Sequence, residues 1–368
     1  MKKKVISVIL CVSMVAAMIV GCGSKAKDTA DSTDTAKKAT EEMNIEIVSK
    51  GFQHQFWQAV LQGANKAADE YGVTINFVGP NTESDIADQV QMLNNAINKK
   101  PAAIGLAALD TQACLDAIKT AQSQNIPIVG FDSGVPGAPE GAIVANASTD
   151  NYKAGELAAE NMYPAIKDTI ASAKKAVRIG VMQQDATSES VINRGLGFID
   201  KMAELLKADG KTATVEGNDK YVTDCKVDKT DGADVVLDVA VPASVTAELS
   251  VIDCQNLLNK ADIIAVYGSN QHSGEAMVNG NANLKKFGTG DGQVIGVAFD
   301  AGAVIKGAVK DGTFLGAVTQ DPMSIGYNTV ELCVKAAKGE TVADVDTGCQ
   351  WYTKDNMDSA EIAPNLYD

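Results

Sequence analysis

The chain has few of the residues on which metal-dependent and nucleophilic enzymes rely. Among its 368 residues there are only two histidines, His54 and His272. The sequence has no G-x-S-x-G nucleophile motif, no phosphate-binding P-loop and no H-E-x-x-H zinc motif. The glycine-rich stretch at 288–292 precedes a predicted strand, whereas a dinucleotide-binding turn follows one. These absences argue against the enzyme classes that depend on such motifs.

Basic residues are also fewer than acidic residues. The chain has 32 lysines and arginines against 47 acidic residues, a net charge of -15. Because such a chain repels phosphate backbones, no nucleic-acid partner is expected, and solubility is favoured. The part from residue 43 onward is too long for one small core and fits two domains, each of roughly 100 to 200 residues.

The beginning of the chain has the pattern of an export and anchoring segment. Three lysines precede the uncharged run Val5–Val20. This run is shorter than the roughly 20 residues that span a bilayer, so a secretory signal peptide is predicted at 1–21. Cys22 after Gly21 resembles the lipobox of bacterial lipoproteins, which implies lipidation of Cys22. Residues 22–43 are small and polar, and a flexible tether is predicted there.

The cysteines indicate neither a disulfide framework nor a metal site. Apart from Cys11 in the predicted signal and Cys22, five cysteines remain without any C-x-x-C spacing: Cys114, Cys225, Cys254, Cys333 and Cys349. Since five is odd, at least one thiol must be free. A single pair, Cys225 with Cys254 or Cys333 with Cys349, stays open. No metal and no cofactor is expected.

Short β-rich runs alternate with amphipathic stretches along the rest of the chain, which predicts parallel sheets covered by helices. The first unit is a strand at 45–48, a helix at 56–71 and a strand at 73–78. Further strands are predicted at 103–107, 127–131, 177–182, 263–267, 294–299 and 316–319, and further helices at 85–99, 111–124 and 190–208, with another ending at 250–259. A break near 146–151 divides the series, so the predicted fold class is α/β with two doubly wound, Rossmann-like lobes.

Polar and aromatic residues follow several of these strands. Ligands of doubly wound sheets bind beyond the carboxyl ends of the strands. Aromatic faces, carboxylates, amides and an arginine together suit a sugar, whose C–H faces stack on rings while its hydroxyls need donors and acceptors.

Six motifs in order resemble the ribose and galactose type periplasmic binding proteins, the type I solute receptors of ABC importers. They are the strand followed by Phe56-Trp57, Phe131-Asp132, NRGLGF at 193–198, VYGSN at 266–270, VIGVAFD at 294–300 and AVTQDPMSIGYN at 317–328. The resemblance covers about residues 44–368. It implies two lobes joined by a three-strand hinge, a monosaccharide ligand, an importer permease as partner, a monomer, and no enzymatic activity.

The resemblance also implies where the ligand binds. Phe56 and Trp57 would stack on it, Asp132 would accept from its hydroxyls, and Gln320 would lie at a crossover between lobes. The full set of implied ligand-binding residues is Gln53, His54, Phe56, Trp57, Asp132, Ser133, Arg194, Asn270, Asp300 and Gln320. As alternatives, the two aromatics could be core residues, the two aspartates could cap helices and Arg194 could be a solvated charge.

Some positions depart from the ribose-type pattern. Gln53-His54-Gln55 stands where the ribose type has an asparagine pair before proline, and Ser133 stands where it has arginine. Ribose itself is therefore not assumed as the ligand. Residues 216–246 do not align with the family, and Tyr221 is the only candidate there for a third stacking aromatic.

The resemblance further implies lobe boundaries at 44–148 plus 321–346 and 149–320 plus 347–368, with hinges near 146–150, 320–322 and 345–348. The predicted location is extracytoplasmic, on the cell membrane through the lipid anchor. Alternatives are a receptor for a furanose or small polyol signal, chemosensing instead of import, and a glycoside-processing enzyme using Asp132 and Asp300. A sugar-responsive repressor is disfavoured because no DNA-binding helix-turn-helix precedes the first lobe.

Overall fold

The computed structural model describes residues 43–52 and 54–367 and contains two mainly parallel β-sheets. The first sheet has the order β12-β5-β4-β3-β1-β2, and all of its strand pairs are parallel. Its strands are β1 (Asn44–Val48), β2 (Thr74–Val78), β3 (Ala103–Leu106), β4 (Ile128–Phe131), β5 (Ile143–Ser148) and β12 (Val345–Asp346). The helices that pack with it are α1 (Gln55–Tyr71), α2 (Ile86–Asn98), α3 (Leu115–Ser123) and α10 (Pro322–Ala337).

The second sheet has the order β13-β11-β10-β9-β6-β8-β7, in which only β13 is antiparallel to its neighbour. Its strands are β6 (Val177–Met182), β7 (Ala213–Gly217), β8 (Val235–Ala240), β9 (Ile263–Gly268), β10 (Ile295–Phe299), β11 (Gly316–Gln320) and β13 (Cys349–Tyr352). Its helices are α4 (Asn151–Ser172), α5 (Glu189–Ala208), α6 (Asp219–Asp224), α7 (Ala247–Leu258), α8 (Gln271–Leu284) and α9 (Ala303–Lys310), and a 3-10 turn (Ala363–Asn365) follows β13.

Apolar cores lie on both faces of each sheet. Strands such as β3 and β10 are buried along their whole length, as expected for parallel strands covered by helices on two sides. The predicted fold class, with two doubly wound lobes, is confirmed.

The chain passes between the two sheets three times. The crossings are at 149–150 between β5 and α4, at Asp321 between β11 and α10, and at 347–348 between β12 and β13. Hydrogen bonds join two of the crossings: Thr149 Oγ1 donates to the Gly348 carbonyl at 3.1 Å, and the Thr347 amide donates to the Ser148 carbonyl at 3.0 Å.

Close helix packing fixes the helix that carries Arg194. Glycines stand where α4 and α5 cross, and a Cβ at Gly155 would lie 2.1 Å from the Arg194 carbonyl oxygen. A Cβ at Gly197 would lie 2.0 Å from the Tyr152 carbonyl oxygen. Larger residues would force the helices apart and displace Arg194 from its place at the sheet edge.

The structure contains elements that were not predicted, among them β5, β7 and α4, and departs from the predictions at two further places. The predicted helix at 111–124 begins only at Leu115, because Asp110 Oδ1 accepts from the amides of Gln112 and Ala113 and closes a turn there. Residues 216–246, for which no elements are predicted, contain α6 and the strand β8, which lies between β6 and β7 in the sheet. All five cysteines of the described residues are free thiols.

Candidate functional site

A small cavity lies between the carboxyl ends of the strands of the two sheets. Its volume is about 20 Å³, room for about one water molecule. The lining residues come from both lobes: Lys50, His54, Phe56, Trp57, Glu83, Asp132, Val191, Arg194, Asn270, Gln271, Asp300 and Gln320. Eight of the ten residues implied by the resemblance are among them.

Two aromatic side chains at the start of α1 form the apolar wall of the cavity. Phe56 is 5 % exposed and Trp57 is 2 % exposed, with their ring centroids 5.0 Å apart in an edge-to-face arrangement. Trp57 also contacts Phe131, and Phe56 contacts Tyr367 near the end of the chain. The two rings therefore both line the cavity and pack in the first lobe.

Asp132 follows β4 and meets two cations. Its backbone has a left-handed φ of 55°, an uncommon conformation for a residue with a side chain. Its Oδ2 lies 3.1 Å from Lys50 Nζ and its Oδ1 lies 3.9 Å from Arg194 Nη2. Lys50 Nζ also donates to Ser190 Oγ of the second lobe at 3.2 Å.

Burial by itself lowers the pKa of Lys50, but the negative charges of Asp132, Glu83 and Asp185 raise it above its ordinary value. Lys50 therefore stays charged at neutral pH inside the protein. A buried cation that carries its charge needs these partners to be stable.

Glu83, in the loop after β2, joins the two lobes. Its Oε1 accepts from Trp57 Nε1 at 2.7 Å, and its Oε2 accepts from Gln184 Nε2 at 3.0 Å. Burial raises the pKa of Glu83, but the charges of His54 and Lys50 and the two hydrogen bonds lower it below its usual range. Glu83 is a buried carboxylate that remains ionised.

The two histidines meet across the cleft. The rings of His54 in the first lobe and His272 in the second have centroids 6.2 Å apart. Burial, and next the neighbouring His54, lower the pKa of His272 to about 4, although Glu83 opposes this. At neutral pH His272 is therefore uncharged, and its Nε2 forms a 2.8 Å hydrogen bond with Ser250 Oγ.

Arg194, on α5, is 3 % exposed and lies between the two strand-end aspartates. Its Nη1 lies 3.8 Å from Asp300 Oδ2, and its Nε donates to Asn151 Oδ1 at 2.8 Å. Its guanidinium carbon sits 4.0 Å from the centroid of the Phe299 ring. This stacking gives Phe299, predicted to be a packing residue, a direct part in holding the arginine.

Asp300 follows β10 and repeats the arrangement of Asp132, with a φ of 72°. Its Oδ1 accepts from Gln320 Nε2 at 2.7 Å and its Oδ2 accepts from the Gln271 amide at 3.0 Å. Burial raises the pKa of Asp300; Arg194 and Gln320 lower it in part, and Asp132 adds to the rise. The net pKa of Asp300 is higher than usual, opposite in direction to that of Glu83.

Asn270 caps α8 and also contacts Gln184 of the same lobe. Its Oδ1 accepts from the Ser273 amide at 3.0 Å, and its Nδ2 donates to Gln184 Oε1 at 2.7 Å. Asn270 is thus both a helix cap and part of the cavity lining.

Two other predicted positions lie elsewhere in the structure. Ser133 is not among the lining residues; its Oγ accepts from the Ser190 amide at 3.3 Å. Tyr221 packs in the core of the second lobe, where its hydroxyl donates to the Asp185 carbonyl at 3.0 Å. Gln53 and Cys22 lie outside the described residues.

Four lining residues were missed from the sequence: Lys50, Glu83, Val191 and Gln271. Lys50 and Gln271 lie in the polar stretches after predicted strands, but the family motifs do not mark them as ligand contacts. Glu83 lies five residues beyond β2, in a stretch that reads as a turn. Nothing in the sequence pairs Glu83 with Gln184.

Residues 43–52 and 54–367 contain no helix with the length and apolar character needed to cross a bilayer. Within the same residues, no group of three or more His, Cys, Asp or Glu side chains is arranged to hold a metal ion.

Comparison with known proteins identifies the family. The family model for the periplasmic binding protein domain matches residues 45–341. This chain is a periplasmic binding protein. The predicted membership in the type I sugar-binding proteins is confirmed, and periplasmic binding proteins act outside the cytoplasm.

Three relatives illustrate the likeness of this periplasmic binding protein. The ribose import binding protein RbsB of Bacillus subtilis (strain 168) is 23% identical over 342 residues, which are 92% of this chain and 95% of the relative. The ABC transporter, LacI family transcriptional regulator from Brachyspira murdochii is 36% identical with a TM-score of 0.73, covering 89% of this chain and 99% of its own. An ABC transporter solute binding protein from Agrobacterium vitis, solved with bound D-fucose, is 30% identical with a TM-score of 0.72. The match covers 88% of this chain and 100% of the Agrobacterium vitis protein.

Proposed function

We propose that this periplasmic binding protein captures a monosaccharide between its lobes and delivers it to the permease of an ABC importer. The observation that carries the proposal is the cavity lining, in which the rings of Phe56 and Trp57 adjoin buried Asp132, Arg194 and Asp300. Such a lining offers a stacking surface and both donors and acceptors, which a sugar requires.

Several buried polar atoms of the cavity have no hydrogen-bond partner among the described residues. They include the acceptors Gln271 Oε1 and Gln320 Oε1 and the donor Arg194 Nη2. Buried polar groups are costly when unpaired, so a ligand that pairs them gains affinity. Sugar hydroxyls both donate and accept and can serve all three atoms.

The charges of the cavity favour an uncharged ligand. Lys50 lies against Asp132, and Arg194 lies between Asp132 and Asp300. Because each cation already faces a carboxylate, a neutral sugar can bind without leaving a charge uncompensated.

Binding would proceed by hinge motion. A cavity of about 20 Å³ is too small for a monosaccharide, so the lobes must separate to admit one. The crossings at 149–150, Asp321 and 347–348 are the only connections between the sheets within the described chain and are the natural hinges. A ligand that contacts both lobes would then favour the closed state.

The ligands of two relatives support a sugar as the ligand class. The Bacillus subtilis relative is a ribose import binding protein, and the Agrobacterium vitis protein was solved with D-fucose. A pentose or hexose is therefore the proposed ligand. Furanoses and small polyols remain the second candidate, because the sequence at Gln53, His54 and Ser133 departs from the ribose-type pattern.

Calorimetry of the full-length protein in detergent tests this function. It would be titrated with pentoses, hexoses including D-fucose, polyols and one nucleoside, with the enantiomer of each binding sugar as the matched control. Ligand released by denaturation would be identified by chromatography. One sugar bound and recovered intact is the expected result. A chemically altered sugar would indicate a glycoside-processing enzyme. If none of the compounds binds, the sugar proposal is rejected.

The proposed anchor is tested separately. We propose that residues 1–21 are removed, that Cys22 carries lipid and that residues 22–43 tether the receptor to the membrane surface. Mass spectrometry of the N-terminal peptide from the membrane fraction should show a lipidated Cys22. The Cys22→Ser protein should be found in the soluble fraction, and its presence in the membrane fraction would contradict the anchor.

A further inference from the structure

Glu83 connects a ligand-facing aromatic of one lobe with a ligand-facing amide of the other. It is 6 % exposed and accepts from Trp57 Nε1 and from Gln184 Nε2, at 2.7 and 3.0 Å. Gln184 in turn accepts from Asn270 Nδ2 at 2.7 Å, and Asn270 caps α8 through the Ser273 amide. A continuous chain of hydrogen bonds therefore runs from α1 of the first lobe to α8 of the second.

We infer that Glu83 is a positioning residue for ligand binding, which fixes the indole of Trp57 and, through Gln184, the amide of Asn270 when the lobes close. We call Trp57, Glu83, Gln184 and Asn270 the cross-cleft chain. This inference rests on the proposed function, since it assigns roles to side chains of the same cavity.

The polarity of the cross-cleft chain makes a carboxylate necessary at its centre. The Trp57 indole can only donate, and Gln184 presents its amide nitrogen to Glu83 because its oxygen is used by Asn270. Two donors therefore converge on residue 83, which must accept with both oxygens. Charge-assisted bonds of this kind are stronger than bonds between neutral groups.

The bond between Glu83 and Gln184 exists only when the lobes are together, because Glu83 follows β2 of the first sheet and Gln184 follows β6 of the second. Closure thus orients Trp57 and Asn270 at once. Glu83 acts on the ligand through these two side chains and also lies near Lys50 and His54, both of which lower its pKa.

An exchange of residues provides the sharpest test. With Glu83→Gln alone, two amide nitrogens meet, and Gln184 must turn and release Asn270. With Gln184→Glu alone, two carboxylates face each other. With both changes, the amide at 83 accepts from Trp57 and donates to the carboxylate at 184, whose other oxygen accepts from Asn270. The double variant keeps every bond of the cross-cleft chain and gives up the 3.2 Å hydrogen bond that Gln184 Nε2 donates to Asp185 Oδ2.

We expect each single variant to weaken sugar binding about tenfold or more in calorimetry, since one buried hydrogen bond is lost. The double variant should bind within about threefold of the wild type. Glu140→Gln, which changes an exposed glutamate of the same lobe, is the matched control and should bind as the wild type does. Additive losses in the double variant would overturn the inference.

A second readout needs no ligand. The chain has two tryptophans, so a full-length protein labelled with 15N-tryptophan gives two indole N–H signals, assigned with Trp351→Phe. The Trp57 signal should lie downfield and exchange slowly, move upfield in Glu83→Ala and return in the double exchange variant. An unmoved Trp57 signal would overturn the inference. If the wild type binds no sugar, the proposed function fails, and the indole signal still decides whether Glu83 accepts from Trp57 and fixes its indole.

Discussion

Glu83 in the first lobe and Asp300 in the second are both buried carboxylates at the cleft, yet their pKa values shift in opposite directions. Burial raises both pKa values, but Glu83 faces Lys50 and His54 and accepts two side-chain hydrogen bonds, so its pKa falls. Asp300 has Arg194 at 3.8 Å and the like charge of Asp132 nearby, so its pKa stays raised. Both carboxylates accept two hydrogen bonds, so the neighbouring charges decide the direction of the net pKa shift in this cleft.

The strand-end aspartates repeat the same contrast. Asp132 and Asp300 both have a left-handed backbone after a central strand, but Lys50 lies 3.1 Å from Asp132, whereas no lysine lies near Asp300 in the described lining. The first lobe is therefore the more strongly ion-paired half of the cleft. The second lobe keeps a carboxylate whose charge is less well compensated.

The largest expected effect comes from removing the central cation of the first lobe. Lys50→Met should lower the free energy of unfolding by about 3 kcal/mol at pH 7, because Asp132 loses its nearest cation and Glu83 part of its support. Chemical denaturation measures this. Lys119→Met, which removes an exposed pair with Asp116, is the control and should change stability by less than about 0.5 kcal/mol. Equal effects of the two substitutions would contradict the contrast between a buried and an exposed pair.

Neutralising the two aspartates should change stability in opposite directions. Asp300→Asn removes a poorly compensated charge, and Gln320 can turn to accept from the new amide because its Oε1 has no partner. We expect stabilisation by about 1 kcal/mol, against destabilisation by about 1 kcal/mol or more for Asp132→Asn, which deprives Lys50 of its partner. Thermal unfolding at neutral pH measures both. A lower melting temperature for Asp300→Asn would show that Arg194 depends on that charge.

The stability contributions of Asp300 and Glu83 should change with pH in opposite directions. Because the folded-state pKa of Asp300 is raised, its ionisation costs stability, which is lost as the pH rises through that value. The advantage of Asp300→Asn over the wild type should therefore grow with pH. Because the pKa of Glu83 is lowered, its contribution is present above its ordinary pKa and is lost as the pH falls through the folded value. Urea unfolding between about pH 3 and pH 8 measures how the free energy of unfolding changes with pH and so tests both expectations. A stability difference of Asp300→Asn that does not vary with pH would contradict the raised pKa.

The smallest effect is expected at Ser133. Its hydroxyl accepts from the Ser190 amide and does not line the cavity, although the family resemblance implies a ligand contact. Ser133→Ala should therefore change sugar affinity by less than about threefold, as only one neutral hydrogen bond between lobes is lost. A loss of about thirtyfold or more in calorimetry would place Ser133 in direct contact with the ligand.

The regular parts of the fold could be predicted because parallel strands read as short buried runs separated by helices. Strands such as Val177–Met182 were predicted with the bounds that the structure gives. The strand β8 was missed although 235–240 is a short apolar run, because residues 216–246 could not be matched to the family pattern. Lys50 and Glu83 were missed because their roles depend on partners from distant segments, which spacing along the chain does not reveal.

The most direct test of this account is calorimetric titration of the wild type, Asp132→Asn and Asp300→Asn with the sugar that the panel identifies. The account predicts that both variants weaken binding by about thirtyfold or more, because the ligand contacts a carboxylate of each lobe. Exposed Asp116→Asn should leave the affinity unchanged. An affinity that survives either cleft substitution would mean that the ligand does not bridge the two lobes through these aspartates.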